Sequence, residues 1–519
     1  MVVIRAALCA VAFCAATVLA AASDDIVLSS RDGSVELSGR FLGFDGEFYR
    51  IDTVFGPLTV DSSGVSCTGA ACPSLTDFVA ELQFSGAGSV GAVLVPALIE
   101  GFAKREGLEP LREAVDDRHI TYRLRDRASG RTVGRFSIHL ATTAEGFADL
   151  LAQETDIVMA RREARPDEIA LIDAAGLGNL QARGRVRVLA LDGLVAVVSA
   201  DNPLGVIRLA DLLGILAGDI SNWAALGGED APIALHLPAA GSGLAEAIED
   251  QILRRAQLAL TPRARRHEDE RAIAARVAAD PFAIGVTAMT IAGTARPLPL
   301  GGECDIVLPP GRRAVKTEDY PLTAPVFLYV PARRLPRLAR DFLTYLDTGP
   351  AQQVVRRAGF VDQTPETIPI DHQGGRFANA IRFAGPDTPL EELQRMVVTL
   401  APWQRLTTTF RFETGSTRLD AQSRANVDQL ARAIEAGSYD RKRLLLVGFS
   451  DGIGPASGNR SIALRRAETV RRAIEEAATA TDPDRLEIAT DAFGEAMPMA
   501  CDDSAWGRQV NRRVEVWVQ

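Results

Sequence analysis

The sequence predicts a multidomain α/β protein, and three observations carry the prediction. The chain has 519 residues, which at roughly 100–200 residues per domain allows about three. Residues 76–362 alternate strand-like apolar runs with amphipathic helical ones, whereas 24–73 hold only short strand-like runs between turn residues. Residues 363–394, punctuated by Pro365, Pro369, Gly374-Gly375 and Pro389, read as a linker to a C-terminal α+β segment, 395–519.

Residues 1–22 read as a signal peptide. Arg5 supplies the positive start, Ala6 to Leu19 form an uncharged run, and Ala20-Ala21-Ala22 offers small residues for cleavage. The run is shorter than the ~20 residues of a spanning helix, so a soluble exported protein is expected. Cys9 and Cys14 leave with the signal. Cys67 and Cys72 enclose Thr-Gly-Ala-Ala, a loop that a disulfide can close in an oxidising compartment. Cys304 and Cys501 read equally as two buried thiols or as a bridge.

Composition is globular, with 47% apolar and 24% charged residues, which excludes wholesale disorder. Basic and acidic residues number 57 and 67, a net charge of −10, and a nucleic-acid partner is not expected. The five histidines lack ligand-like spacing, so neither a metal site nor a cofactor is expected.

In the N-terminal module, Ile26–Leu28, Val35–Leu37, Phe41–Phe44, Phe48–Ile51 and Leu58–Val60 read as strands. Asp32-Gly33 and Asp45-Gly46 mark hairpins, and a small open barrel is the expected form. In the central segment, Val79–Phe84 leads into Ser85-Gly86-Ala87-Gly88-Ser89-Val90-Gly91 and an amphipathic helix with Val93, Leu94, Ala97, Leu98 and Phe102. Val186–Leu191 and Val195–Ser199 read as two strands flanking Asp192-Gly193. Ile233–Leu237 runs into Ala239-Ala240-Gly241-Ser242-Gly243 and a further helix, so parallel strands are expected. Two Gly-Ser loops between a strand and a helix place unpaired N–H groups and a partial positive charge where an anion can sit. No nucleophile–base pair supports an enzyme. The C-terminal segment reads as strand (Thr407–Phe412), helix (Asp420–Ala436), strand (Leu444–Phe449), helix (Ser461–Ala478) and strands Leu486–Thr490 and Arg513–Val518.

The central segment resembles the phosphate-type periplasmic solute-binding proteins of ABC importers. The resemblance rests on Ser85–Gly91, Asp156–Arg162, Asn202-Pro203-Leu204, the run Leu212–Trp223 adjoining Leu226-Gly227-Gly228, Gly241-Ser242-Gly243 and Phe282–Gly285. It implies two lobes closing on a small oxyanion such as phosphate, an inner-membrane ABC permease as partner, and Gly88, Ser89, Thr143, Arg161, Gly241, Ser242 and Gly243 as ligand contacts. Leu244 stands where the family's second loop has threonine, and Pro238 where it has arginine.

The C-terminal segment resembles the OmpA-like peptidoglycan-binding domain. Gly448-Phe449-Ser450-Asp451, Asn459, Ile462–Ala467 and Asn511-Arg512-Arg513-Val514 carry the resemblance. It implies that Asp451 and Arg466 clasp the diaminopimelate of the peptidoglycan stem peptide, with Asn459, Asn511 and Arg512 completing the site. A zwitterionic ligand needs one fixed group of each sign. The expected protein is a non-enzymatic periplasmic oxyanion receptor, tethered to peptidoglycan on the outer-membrane side of the envelope. The alternative is an envelope-organising structural protein whose cleft holds no small ligand.

Overall fold

The computed structural model describes residues 24–385, 388–413, 415–479 and 485–519. The predicted signal, with Cys9 and Cys14, lies outside them. The chain divides into two units, Met1–Ala80 and Glu81–Gln519.

In the first unit, five antiparallel strands lie in the order Gly56–Asp61, Phe48–Thr53, Glu36–Phe44, Asp25–Ser30, Val65–Thr68. Both Asp-Gly pairs turn hairpins as expected, with Gly33 and Gly46 at φ 72° and 93°. The two short strands expected within 35–44 are one, Glu36–Phe44, with a register shift between Phe41 and Gly43. Among the described residues no pairing closes the sheet, which is open at both edges. Its buried core is small (Ile26, Leu28, Tyr49, Ile51), and the Cys67–Cys72 disulfide pins its last strand. Such a staple suits a module too small to rely on apolar burial alone.

The second unit opens with a mixed sheet, not the purely parallel one expected. Leu108–Ala114, His119–Asp126 and Thr132–Ala141 form an antiparallel meander, while Ile157–Ala160 pairs parallel with Ala80–Ala87. Ala234–Pro238 pairs parallel with both Arg265–His267 and Ala283–Ala288. Two lobes with separate cores result, one around Phe84, Phe102 and Phe342, the other around Val197, Leu216 and Ile284. One strand joins them. Val186–Val198 pairs antiparallel with Thr323–Tyr329 over its first half and with Ala283–Ala288 over its second. Asp192-Gly193, read from sequence as a break, lies inside this strand. The near-continuous apolar run VRVLALDGLVAVV is that of a strand buried on both faces, and tertiary hydrogen bonds to Asp192 override the local turn preference.

The C-terminal part carries a five-stranded sheet in the order Thr367–Ile368, Gln404–Arg411, Arg513–Val518, Arg443–Phe449, Glu487–Gly494. Only the last pair is parallel, joined across the 22-residue helix Ala456–Ala477. That helix buries Ala463, Ala467, Val470, Ile474 and Ala477, one stripe at helical spacing. The stretch 363–394 is not a free linker. Its residues Thr367–Ile368 extend the sheet, and the helices Gly374–Arg382 and Leu390–Leu400 bury Ala380, Leu393, Met396 and Leu400 around Trp517. The helix Ala505–Asn511 was also not foreseen.

Buried charge fastens the C-terminal sheet to the lobed part. Arg405 is 1% exposed and donates to both oxygens of Asp319 at 2.7 and 3.0 Å. Burial would raise the Asp319 carboxyl, but the Arg405 charge holds it well below the usual range. Glu515, fully buried, accepts from Arg376, from Arg513 at 2.7 Å and from the Trp517 indole at 3.1 Å. The Cys304–Cys501 disulfide settles the open pairing and crosses between the same two parts.

Candidate functional site

The two Gly-Ser loops do converge. A Cβ placed on Gly243 would lie 3.0 Å from that of Ala87, so the second lobe's loop rests on the first lobe's. Thr143 is wholly buried at the start of the helix Thr143–Leu151, and its hydroxyl accepts from Arg161 N–H at 3.3 Å. The expected contacts thus share one region, but the protein's own carboxylates fill its anion seats.

Every donor at the start of the helix Thr143–Leu151 has a partner. Thr142 N–H donates to Glu145 at 2.9 Å and Glu145 N–H returns to the Thr142 hydroxyl at 3.0 Å. Thr143 and Ala144 N–H donate to the two oxygens of Glu246, at 2.6 and 3.2 Å. Glu246 comes from the opposite lobe, on the helix Gly243–Ile248. That helix is capped by Ser242, whose hydroxyl accepts from Ala245 N–H at 3.1 Å. Burial holds Glu270 above the usual carboxyl range, with Arg161 opposing.

Arg161 is likewise committed. It is 1% exposed and pairs with Asp192 at 3.2 Å, and Asp192 also accepts from Gly193 N–H, Thr290 N–H and the Thr290 hydroxyl. Asp192 thus pairs with the one guanidinium, and Glu246 takes the nearby helix start, where an anion site was expected. The Ser89 hydroxyl and the Arg161 Nε are both buried without a partner. Arg162 and Arg165 from the first lobe both reach Asp250 of the second at 2.9 Å, latching the lobes together. Nearby, Ser85 and Asp149 both contact Nδ1 of His139, at 3.2 and 3.1 Å. A base that must face nucleophile and acid through opposite nitrogens is not formed there.

The second candidate site lies where the strand Arg443–Phe449 meets the helix Ala456–Ala477. A Cβ on Gly448 would stand 2.1 Å from the Ala463 carbonyl oxygen, so glycine is what lets strand and helix pack this closely. Asp451 follows the strand and pairs with Arg512 at 2.6 Å, both side chains being partly exposed. Arg466 projects from the helix, 7% exposed, with its guanidinium 5.4 Å from the Phe412 ring centroid. Among the described residues it has no carboxylate at ion-pair distance, and its Nε is buried without a partner. Burial lowers its affinity for its proton, Arg512 adds to this, and Asp451 opposes it. The Ser450 hydroxyl is also buried and unpartnered.

Asn459 and Asn511 serve the loops. Asn459 donates to Glu495 at 2.5 Å. Asn511 accepts from Met499 and Ala500 N–H and donates to Ala500 O and Asp502. Sequence reasoning missed Asp502, whose carboxylate also accepts Gly452 N–H at 2.7 Å and so shapes the loop after Asp451. It missed Phe412 as well. Neither belongs to the motifs that carried the resemblance.

Comparison with known proteins follows this division. "Outer membrane protein A" of Bordetella avium is 32% identical over 105 residues, 20% of this chain and 51% of that relative. The chain thus spans about half the length of the curated relative it matches. Among solved structures, an ABC-type phosphate transport receptor from Vibrio cholerae is 18% identical with a TM-score of 0.42, covering 54% of this chain and 99% of its own. A putative phosphate ABC transporter substrate-binding protein from Clostridium perfringens is 19% identical with a TM-score of 0.40, covering 54% and 99%. The peptidoglycan-associated lipoprotein from Burkholderia pseudomallei is 23% identical with a TM-score of 0.19, covering 21% and 89%. The chain carries a PBP superfamily domain, matched over residues 135–348, and an OmpA family domain, matched over residues 411–512.

Proposed function

We propose that this is a periplasmic envelope protein that binds peptidoglycan through its OmpA family domain and holds its PBP superfamily domain at the wall as a scaffold, not as a phosphate receptor. The observation that carries the wall-binding half is Arg466. Among the described residues this mostly buried guanidinium has no carboxylate at ion-pair distance, and with Asp451 near enough to act on its charge it suits a ligand carboxylate. Asp451 offers the opposite sign to an ammonium, and Arg512 holds it in place. A diaminopimelate side chain carries both groups on one carbon, which suits a fixed pair of this kind.

The scaffold half rests on the filled cleft. An incoming oxyanion would have to displace Glu246 from the Thr143 and Ala144 N–H groups it occupies. Oxyanion capture, the other reading of the sequence, and delivery to an inner-membrane permease would require Glu246 to leave this seat first. The test is cosedimentation with purified sacculi. Wild-type protein is expected to pellet with them, and Asp451→Ala and Arg466→Ala to remain soluble. Undiminished pelleting by both variants would overturn the clasp assignment.

A further inference from the structure

A cavity of about 400 Å³ lies inside the second unit, where the lobed part meets the C-terminal part. Its walls come from the loop Arg162–Pro166, the segment around Arg255, the approach to the strand Thr323–Tyr329, and the helix Ala505–Asn511. Arginine dominates it. Arg162, Arg165, Arg254, Arg255 and Arg411 all line it, and the first three share the single carboxylate of Asp250 at 2.8–2.9 Å. Arg162 has Glu168 as well.

Arg255 differs from the rest. Its guanidinium stacks 5.1 Å from the Trp506 ring centroid, and its one hydrogen bond is a long one, 3.3 Å, to the Ala505 carbonyl. Among the described residues no carboxylate lies at ion-pair distance from it. Trp506 is itself fixed, its indole N–H donating to Gln251 O at 2.9 Å, so the aromatic face beneath Arg255 is held in place. Burial first, and then the neighbouring Arg512 and Arg411, push Arg255 down to about 10. Four acids also line the cavity, Glu163, Asp250, Glu318 and Asp420, and Asp250 is shared by three of its arginines. Burial pushes Glu163 up to about 7 and Glu318 up to about 8, so both hold protons at neutral pH in part or in the main.

We propose that this cavity binds a carboxylate ligand, its charge taken by the planar fork of Arg255 held flat on Trp506. A stacked guanidinium with free N–H edges accepts a carboxylate in bidentate fashion, and the volume admits a small polycarboxylate or the acidic end of a short peptide. The site shares Arg162, Arg165 and Asp250 with the lobe latch and adjoins the clasp, whose Arg512 acts on Arg255, but its ligand contact is Arg255 and not Asp451 or Arg466. It can therefore be tested separately from the wall-binding reading.

Isothermal titration tests it on full-length protein carrying Asp451→Ala, which silences the clasp. The probes are citrate, succinate and the tripeptide L-Ala-γ-D-Glu-meso-diaminopimelate, with Trp506 fluorescence as a second signal. At least one probe is expected to bind, and Arg255→Gln to weaken it by about tenfold or more, the scale of one lost charged hydrogen bond. Binding of citrate or succinate marks a free metabolite as the source, and binding of the tripeptide alone marks the wall. Arg255→Lys keeps the charge but not the plane, and is expected to fall between wild type and Arg255→Gln, which guards against a folding defect in the latter. Failure of all three probes to bind, or equal affinity in Arg255→Gln, would overturn the proposal. Sacculus binding by the Asp451→Ala background reports on the clasp separately.

Discussion

Glu246→Ala should open an anion seat that the wild-type protein keeps closed. The carboxylate accepts Thr143 N–H at 2.6 Å and Ala144 N–H at 3.2 Å, both at the positive end of a nine-residue helix. Hydrogen bonds to a charged group contribute about 1.5–3 kcal/mol each. The second is long, and water re-solvates part of what is freed, so a net loss of about 3 kcal/mol is expected. Glu246→Gln keeps one acceptor oxygen and should lose about half of that. The released N–H pair is then an empty oxyanion site. Phosphate at about 100 times its dissociation constant would return up to ~2.7 kcal/mol to Glu246→Ala. Thermal unfolding at neutral pH with and without phosphate reads both effects. Wild type should show no shift, and the variant should melt lower and be rescued in part by phosphate. Equal stabilisation of wild type and variant by phosphate would refute the self-filled seat. So would a variant as stable as wild type.

Three further outcomes are expected. Cys304→Ser should lower the melting temperature, since a bridge spanning 197 residues removes about 5 kcal/mol of unfolded-state entropy in the loop-closure estimate, and under reductant, which also opens Cys67–Cys72 in both, wild type and variant should melt alike. Glu318→Gln should flatten the pH dependence of stability. The folded chain holds the Glu318 proton up to about pH 8, whereas the unfolded chain releases it near 4.5, so this stability is full below about 4.5 and is lost as pH rises through 8. A urea series across that window with identical slopes in wild type and variant would contradict the assignment. Gly448→Ala drives a methyl to within 2.1 Å of the Ala463 carbonyl oxygen and should cost about 1–3 kcal/mol or more in urea unfolding.

The proposed clasp was legible as a place because its signal is local and ordered. Gly448, Asp451, Asn459 and Arg466 lie on one strand–loop–helix passage, and Asn511 and Arg512 lead into the neighbouring strand. What the motif could not tell was division of labour: both asparagines spend their hydrogen bonds on loops, and Arg512 holds Asp451. The cleft was legible as a place and not as a charge. Its Gly-Ser loops are local patterns, but the carboxylate on Thr143 comes from 103 residues away. No window of sequence places Glu246 on that helix start. Asp192-Gly193 failed for the related reason that an Asp-Gly pair is turn-like only when its side chain has no better partner than water. Here Arg161 and Thr290 supply one.

The misread linker bears most on function. A free 32-residue coil would give a root-mean-square reach of about 30 Å, enough to let a wall-bound receptor sample the space around its anchor. That segment is instead a strand of the C-terminal sheet and two helices packed around Trp517. The Arg405–Asp319 pair, 1% and 6% exposed, then ties the sheet to the lobed part, and the Cys304–Cys501 bridge ties the loop carrying Asp502 to it. Removing one partner of such a buried pair costs about 3–5 kcal/mol, so swinging the lobed part away from the clasp would break contacts of that size together with a covalent bond. A shuttle needs a receptor that leaves its anchor, and this one is built into it. Rigid mounting, Glu246 seated on the Thr143–Ala144 N–H pair, and an Arg466 with no carboxylate at ion-pair distance among the described residues favour the proposed fixed body at the wall over a carrier.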